Sequence, residues 1–419
     1  MIEWSETQQA VRDMVQKFVE TEIKPRVEEL EHGDTPPYDV LRKLYRTFGM
    51  DELARQRFRH QIAREKQAEE ARARGEEPPS TREKKPRADG GDAAAMQIIP
   101  IIEICKYCPG LVTAMGVSVG LTAASILGKG TIRQKERWAL DLMTLDKIGA
   151  WAITEPGSGS DAFGGMKATA KRDGQGGYLL KGNKTFITNG PYADTIVFIC
   201  KLDEPGVDPK DRKILHFVLD KGMPGLTQTK PMRKMGLHSS PTGELFLEDV
   251  RAGVDRLLGE SEDAAAKAGK AGAKDTFQTE RSGVAAMSLG IIERCLELCV
   301  DYAKNRVAWG QPIGEYQLIQ LKLAKMEVAR MNVQNMVFRH IELLANGKSM
   351  TFAEASAMKL YSAQAAMETA LEAVQLFGGN GYMAEYQVEQ LCRDAKVAQI
   401  YAGTDEMQVR AIARDLLTR

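Results

Sequence analysis

Residues 151–161 read WAITEPGSGSD, and they lie where the residue pattern changes from helical to β-rich. An apolar run typical of a strand leads into this stretch, and glycines and hydroxyl side chains follow it, as in a polar turn. Pro156 restricts the backbone at the exit of the strand, while Gly157 and Gly159 let a ligand approach the main chain closely. The stretch therefore suits a bound cofactor, although an ordinary surface turn has the same composition. No Gly-x-Gly-x-x-Gly joins a strand to a helix, so a Rossmann dinucleotide site is not indicated.

Residues 148–250 contain short apolar runs separated by turn signals, which indicates a β region. The runs are GAWAIT, KATAKR, YLLKGNKTFIT, TIVFICKL, ILHFVLD and GELFLEDV, with turns or hairpins expected at Gly176-Gly177 and Gly182-Asn183. On both sides of this region apolar residues recur at helical spacing, most clearly at 281–306 and 317–345. The order of helices, strands and helices favours an α+β fold over an alternating parallel-sheet fold.

Two segments differ in composition from the rest of the chain. Residues 55–92 contain eleven Lys or Arg and eight Asp or Glu, together with three prolines. We expect a solvated surface insertion whose first half is an exposed helix and whose second half is mobile; a docking arm for an acidic partner is the alternative. Residues 264–274 read AAAKAGKAGAK, which predicts a low-complexity joint between the β region and the helices that follow.

The overall composition excludes several classes of protein. The chain has 419 residues, 57 Lys or Arg and 57 Asp or Glu, so its formal net charge is zero and no nucleic-acid footprint is spread over it. A hydrophobic content of 43% and a charged content of 27% are those of a globular protein. The six cysteines do not form a disulfide framework, and the single C-x-x-C at Cys105 and Cys108 has no second pair with which to bind zinc. Cys295 and Cys299, one helical turn apart, are expected in the core.

Two further segments bear on localisation. Residues 107–128 are uncharged and long enough to span a membrane, but their glycines and hydroxyl side chains favour a buried helix that packs closely through small residues. The first residues, MIEWSETQQAVRD, are acidic and contain no apolar core typical of a secretory signal. A cytoplasmic protein is therefore expected.

Further motifs are spread along the chain, and their order is informative. They are KTFITNG at 184–190, RVAWGQ at 306–311 with Gln317, GGNGY at 378–382, RDAK at 393–396 and YAGT at 401–404. Together with residues 152–161, these motifs resemble the acyl-CoA dehydrogenase family of flavoproteins over nearly the whole chain apart from the two segments above. The resemblance implies an N-terminal helical domain at 1–147 with the charged insertion at 55–92, a central β-barrel-like domain at 148–260 and a C-terminal four-helix bundle at 276–419.

The resemblance also implies FAD as cofactor, held between the β and C-terminal domains, usually in a homotetramer. Residues expected to line the flavin ring are Trp151, Ile153, Thr154, Phe186 and Thr188. Contacts to FAD from a neighbouring subunit are expected from Arg306, Trp309 and Gln317, and from Gln375 and Gly379. Thr404 and Glu406 match positions near the diphosphate and adenosine end of FAD. The positions that match substrate contacts are Ser160, near the CoA portion, Arg281, near the mouth of the site, and Gly403.

The catalytic base departs from the commonest family pattern. Family members remove the α proton of an acyl-CoA thioester with a carboxylate while the β hydride passes to flavin, and many carry this carboxylate in Tyr-Glu-Gly-Thr. This chain has Ala402 at that position, so only its backbone N–H can help to stabilise the enolate oxygen. Glu280, followed by Arg281, matches the base of the isovaleryl-CoA and long-chain acyl-CoA dehydrogenases. A simple first-turn helix acid is the alternative reading of Glu280.

The predicted function is α,β-dehydrogenation of an acyl-CoA to the 2-enoyl-CoA, with an electron-transfer flavoprotein as the expected electron acceptor. Two alternatives remain open at this point. One is an oxidase on the same scaffold that reduces O₂ directly. The other is a non-catalytic or partner-dependent flavin subunit of a heteromeric assembly, because the usual glutamate is missing.

Overall fold

The structure, a computed structural model of the chain, describes residues 3–33, 35–77 and 90–418, with the backbone alone at 90–93 and 265–279. The helices that precede the sheet are α1 (Glu6–Phe18), α2 (Val27–His32), α3 (Tyr38–Thr47), α4 (Met50–Ala73), α5 (Gly90–Cys105), α6 (Pro109–Met115), α7 (Ala124–Lys129) and α8 (Ile132–Met143). Capping boxes begin two of them: Ser5 and Gln8 at α1, and Thr131 and Gln134 at α8. These polar side chains satisfy the free N–H groups of each first turn.

The middle of the chain forms one mixed, seven-stranded sheet. Its strands are β1 (Gly149–Ala152), β2 (Thr169–Arg172), β3 (Gly177–Thr188), β4 (Thr195–Leu202), β5 (Ile214–Asp220), β6 (Leu226–Gln228) and β7 (Thr242–Gly253). They lie in the order β1-β4-β2-β3-β7-β6, and β5 also pairs with β4. β4 runs parallel to β1 and β2, and the other pairs are antiparallel. The six apolar runs identified in the sequence all contribute strands.

One expected turn is wrong. Gly182-Asn183 lies inside the long strand β3, where the register against β7 shifts between Leu180 and Gly182. Gly182 has φ of +149°, and a Cβ placed on it would lie 2.6 Å from the Cβ of Ala168. The glycine therefore serves a β-bulge and a close approach of the backbone rather than a hairpin.

The C-terminal part of the chain is helical apart from a short hairpin, β8 (Val307–Ala308) and β9 (Gln311–Pro312). Its helices are α9 (Glu262–Asn305), α10 (Gln317–Ala345), α11 (Phe352–Phe377), α12 (Val388–Lys396) and α13 (Asp405–Thr418). The joint expected at 264–274 is wrong, because the backbone of α9 runs through it after Ser261 accepts a hydrogen bond from the Ala264 N–H. Alanine and lysine are strong helix formers, and this propensity outweighs the two glycines.

Two large apolar cores among the described residues hold most of these elements together. One core joins α1, α3 and α5 of the N-terminal part to α9, α10 and α11, and it contains Cys295 and Cys299 as expected. The other lies inside the β domain and extends to α8 through Trp138, Ala139 and Leu142. The N-terminal helices thus share their main core with the C-terminal bundle, while the sheet has its own.

The charged insertion is helical in its first half, as expected. α4 buries Phe58 and Ile62 in the core of the β domain, and Lys66 and Glu65 form ion pairs with Glu136 and Lys135 of α8. α4 is therefore attached along one face instead of being fully exposed. The second half of the insertion, expected to be mobile, lies largely outside the described residues, which resume at α5.

The helical stretch Pro109–Lys129 is long and apolar enough to cross a membrane by length and composition, and half of its most apolar window is buried in this chain. The predicted close packing through small residues is confirmed at Gly110, where a Cβ would lie 2.3 Å from the Ser239 Oγ. It is wrong at Gly116, Gly120 and Gly128, where a Cβ would meet no atom within 4 Å among the described residues.

Candidate active site

The turn before α13 carries the YAGT motif in an unusual backbone conformation. Ala402 has φ of +53° and Gly403 has φ of +84°. Side chains from two helices hold their carbonyl groups: Gln408 Nε2 donates to Ala402 O at 3.1 Å and to Gly403 O at 2.7 Å, and Lys359 Nζ donates to Gly403 O at 2.9 Å. The left-handed region is costly for alanine, so these hydrogen bonds help to maintain the turn.

Glu280 lies on the face of α9 that is directed at this turn. Val284, one helical turn further along α9, packs with Ala363 of α11, with Ala398, and with Tyr401 and Ala402. Because residues four apart share a helix face, Glu280 lies on the same side. The structure therefore brings together the predicted base and the turn that lacks the usual glutamate.

The surroundings of Glu280 raise its pKa to about 7, mainly because burial disfavours the charged carboxylate. The positive charges of Arg281 and Lys359 act in the opposite direction. A carboxyl group with a pKa near neutrality can accept a proton and release it again at ordinary pH. The alternative reading of Glu280 as a first-turn acid is wrong, because α9 begins at Glu262 and Glu280 lies well inside the helix.

Arg281 is buried beside Glu280 and is held by α11. Its Nη1 donates to Ser356 Oγ at 2.8 Å, and its guanidinium lies 4.0 Å from the centre of the Phe352 ring. Burial lowers the pKa of Arg281, and Glu280 opposes this effect. The Nε of Arg281 is buried without a hydrogen-bond partner among the described residues. Most buried donors in proteins have a partner, so this one is an exception.

The loop after β1 is fixed by a buried ion pair that the sequence analysis missed. Glu155 accepts hydrogen bonds from the backbone N–H groups of Lys167 and Ala168, at 2.7 and 2.9 Å, and from Lys184 Nζ at 2.9 Å. Lys184 Nζ also donates to Ile153 O at 2.9 Å. Glu155 and Lys184 lie within two of the quoted motifs, which was the available signal.

The predicted flavin-ring residues come together around the same loop. The Thr185 N–H donates to Thr154 O at 2.9 Å, which places the start of the loop against the end of β3. Ile153 is buried, Trp151, Thr154 and Thr188 are half-buried, and Phe186 is 64% exposed at φ of +56°. Neither the Thr154 nor the Thr188 hydroxyl has a hydrogen-bond partner in the described parts of the chain. An exposed aromatic ring beside two free hydroxyls fits a planar polar ligand such as a flavin.

A second group of predicted residues lies at the opposite end of the C-terminal helices. α9 continues for 25 residues from Glu280 to Asn305, which corresponds to roughly 38 Å along its axis. Tyr302 stacks on Phe377 with ring centres 4.0 Å apart, so α11 ends beside the same end of α9. This distant group is exposed, and it consists of Arg306, Trp309, Gln317, Gln375 and Gly379.

The remaining predicted residues lie nearer to the turn or on the loop. Thr404 is half-buried directly after Gly403, and Glu406 is exposed in the first turn of α13. Ser160 is exposed at the end of the polar loop. Within a single chain, the structure thus unites Glu280, Arg281 and residues 402–406, but it separates them from the distant group.

Comparison with known proteins gives the same order of domains. Three family models match the chain: the acyl-CoA dehydrogenase N-terminal domain at residues 5–79, the middle domain at 150–250 and the C-terminal domain at 267–417. A short-chain specific acyl-CoA dehydrogenase of Megasphaera elsdenii is 38% identical over 78% of this chain and 83% of its own length. An acyl-CoA dehydrogenase of Bacillus subtilis is 35% identical over 99% of this chain and 98% of its own.

Solved structures share the complete fold. Butyryl-CoA dehydrogenase from Megasphaera elsdenii superposes with a TM-score of 0.80 at 32% identity and full coverage of both chains. A glutaryl-CoA dehydrogenase from Mycobacterium smegmatis, in complex with FADH2, gives 0.78 at 25% identity and covers 99% of this chain and 95% of its own. The predicted fold, an N-terminal helical domain, a central β domain and a C-terminal helical domain, is confirmed. The chain belongs to the acyl-CoA dehydrogenase family.

Proposed function

We propose that this protein catalyses the FAD-dependent α,β-dehydrogenation of an acyl-CoA thioester, with Glu280 as the catalytic base. The observation that carries this proposal is that Val284, one helical turn beyond Glu280 on α9, packs against Tyr401 and Ala402, and that the charge of Glu280 acts on Tyr401. Ala402 cannot accept a proton, and Glu280 has a pKa of about 7. This combination gives the site a base in spite of the missing glutamate.

Glu280 takes up the α proton of the thioester as the β hydride leaves with its electron pair. FAD, when bound, supplies the acceptor for this hydride. The negative charge that develops on the thioester oxygen needs a hydrogen-bond donor. The Ala402 N–H donates to no other described residue, and its turn is held by Lys359 and Gln408, so it can serve as this donor.

We assign the flavin ring to the surface formed by the loop after β1 and the end of β3. Trp151, Ile153 and Phe186 supply its apolar contacts, and the Thr154 and Thr188 hydroxyls supply hydrogen bonds. Thr404 and Glu406 extend this site along the start of α13. The free hydroxyls and the exposed Phe186 support this assignment, as does the related dehydrogenase that contains FADH2.

A neighbouring subunit completes the proposed cofactor site. The distant group lies roughly 38 Å from Glu280 along α9, so one chain cannot easily present both groups to the same part of FAD. Trp309 is 92% exposed, and Leu318 and Leu321 at the start of α10 are also exposed. Exposed aromatic and aliphatic residues in one region are typical of a subunit interface. We therefore propose a homotetramer in which Arg306, Trp309, Gln317, Gln375 and Gly379 reach the FAD of another subunit.

Substrate binding is assigned to Ser160, Arg281 and Gly403. Ser160 is exposed on the polar loop and can contact the CoA portion, and Arg281 and Gly403 lie beside Glu280 and Ala402. We propose an electron-transfer flavoprotein as the electron acceptor and a cytoplasmic location.

An anaerobic titration tests the proposed activity. The FAD-loaded protein is mixed with short, branched, long and cyclic acyl-CoA thioesters, and the oxidised flavin band is followed. Loss of the band with one class, together with formation of the 2-enoyl-CoA, supports the dehydrogenase. A band that persists with every thioester contradicts it and favours the non-catalytic subunit. Rapid reoxidation of the reduced protein by O₂ in the presence of product identifies an oxidase instead.

A further inference from the structure

Lys359 is a fully buried lysine whose charge lies next to the proposed reaction site. It belongs to α11, its side chain is 0% exposed, and its Nζ donates to Gly403 O at 2.9 Å and to Asp405 Oδ1 at 3.3 Å. Burying a lysine is costly unless its ammonium group is hydrogen-bonded or paired. Burial lowers the pKa of Lys359, and Asp405 opposes this effect.

The charged and titratable groups around Glu280 come from three elements. Arg281 follows Glu280 on α9, Lys359 approaches from α11, and Tyr401 belongs to the turn; Asp405, at the start of α13, pairs with Lys359. Burial raises the pKa of Tyr401, so this phenol stays neutral. The cations whose charges act on Glu280 are therefore Arg281 and Lys359. Arg281 is held by Ser356 and Phe352, whereas Lys359 contacts the turn itself.

Resting on the proposed function, we propose that Lys359 is a positioning residue for removal of the α proton. Through its hydrogen bond to the Gly403 carbonyl it keeps the Ala402 N–H in place, and through its charge it keeps Glu280 ionised over more of the working pH range. It touches neither the proton nor the thioester oxygen, so its effect is exerted through Glu280 and Ala402.

Each part of this role has a physical basis. A left-handed alanine costs about 1–2 kcal/mol, and such a conformation persists only where the surrounding structure determines it. Hydrogen bonds from Lys359 on α11 and Gln408 on α13 hold the backbone of the turn in this conformation. A positive charge near a carboxyl group favours its ionised form, so loss of Lys359 raises the pKa of Glu280 further.

The test compares Lys359→Gln, Lys359→Arg and the wild-type protein. The rate of anaerobic flavin reduction by a bleaching acyl-CoA is measured against pH in FAD-loaded protein. Glutamine keeps a donor near the turn but removes the charge, so we expect the acid limb of the profile to move up by about half to one pH unit. Arginine keeps the charge, and its acid limb should remain near that of the wild type.

The matched control is Lys135→Met. Lys135 is also buried and paired with a carboxylate, Glu65, but it belongs to α8. Its loss should lower the thermal midpoint of the apoprotein and leave the acid limb unchanged. If Lys359 has only a structural role, Lys359→Gln should likewise lower the thermal midpoint and leave the acid limb unchanged. A pH profile of Lys359→Gln that superposes on that of the wild type therefore overturns the proposal.

Two further variants keep the outcome decisive. If Lys359→Gln does not fold, Asp405→Asn is used, because it removes the carboxylate that favours the charged form of Lys359 and should move the acid limb to higher pH; an unmoved limb then contradicts the proposal. Glu280→Gln is measured in parallel. If it reduces flavin as fast as the wild type, the base itself is wrong; if it is slow while the limb of Lys359→Gln is unmoved, only the role of Lys359 is wrong.

Discussion

Lys184 Nζ donates to Glu155 Oε1 at 2.9 Å, and the two side chains are 0% and 6% exposed. Because the same Nζ also donates to Ile153 O, this ion pair joins β3 to the loop that follows β1. The residues proposed to line the flavin ring lie on both sides of it. The ion pair thus links the formation of the sheet to the shape of the proposed cofactor site.

Lys184→Met is expected to destabilise the protein by about 3–5 kcal/mol, since it leaves the Glu155 carboxylate buried without its cation. FAD affinity should fall as the loop loses its attachment. Thermal unfolding of the apoprotein and equilibrium FAD binding measure the two effects. Lys213→Met is the control: its nearer partner Asp263 is largely exposed and its second partner Glu262 keeps an ion pair with Arg172, so the loss of Lys213 should cost less than about 1 kcal/mol. Unchanged FAD affinity in Lys184→Met would show that the loop keeps its shape without the pair.

The rate of flavin reduction should rise with pH through about 7 and then become constant. Glu280 can accept the α proton only as a carboxylate, and its pKa is raised to about 7 by burial. The measurement is the pH profile of the anaerobic half-reaction at saturating acyl-CoA. A rate that is already constant between pH 5 and pH 8, with chemistry shown to be rate-limiting by a substrate deuterium effect, would exclude this group as the base.

Glu280→Gln is expected to stabilise the apoprotein at alkaline pH but not at acid pH. The folded-state pKa of Glu280 lies above its unfolded value of 4.5, so ionisation favours the unfolded chain. Stability is therefore lost as pH rises through the folded-state pKa of about 7, and a neutral glutamine avoids this loss. We expect the thermal midpoint to rise by about 2–4 °C at pH 8.5 relative to the wild type. Equal midpoints at both pH values would argue that Glu280 is well solvated.

Arg306→Ala and Trp309→Ala should weaken FAD binding although both residues lie far from Glu280. A charged hydrogen bond contributes about 1.5–3 kcal/mol, so we expect FAD affinity to fall about tenfold or more in Arg306→Ala. Trp309→Ala should also shift the mass in solution from tetramer towards smaller species. Light scattering and FAD titration provide the readouts, and Met14→Ala, which removes another exposed apolar side chain, is the control. FAD affinity that is unchanged in both variants would place these residues outside the cofactor site.

Local patterns predicted much of the fold because the elements concerned have clear periodicity. The helical segment expected at 317–345 coincides with α10, and all six apolar runs form strands. The predictions of secondary structure are wrong where the same short sequence is compatible with two different structures. Gly182-Asn183 reads as a turn in isolation, but the close approach of Ala168, fourteen residues away in sequence, makes it a bulge. The Ala- and Lys-rich segment at 264–274 reads as a linker, but its helix propensity continues α9.

The candidate site was only partly predictable for a similar reason. Glu280 can be predicted as the base from the sequence, because Ala402 stands where many family members have glutamate and Glu280-Arg281 matches the alternative position. The pairing of Glu155 with Lys184 and the contact of Lys359 with Gly403 depend on chain segments 29 and 44 residues apart. No spacing rule connects such residues, so their partners become apparent only once the sheet and the helices are packed.

The identity of the base is tested most directly by the anaerobic half-reaction of Glu280→Gln. The variant is loaded with FAD and mixed with the acyl-CoA that bleaches the wild-type flavin. Glu368→Gln, a change of an exposed carboxylate on α11 outside the proposed site, serves as the control. With flavin content and acyl-CoA binding retained, we predict that reduction slows at least about a hundredfold in Glu280→Gln, because no other group takes the α proton, and stays within a few-fold of the wild type in Glu368→Gln. Reduction of Glu280→Gln at the wild-type rate would contradict the account.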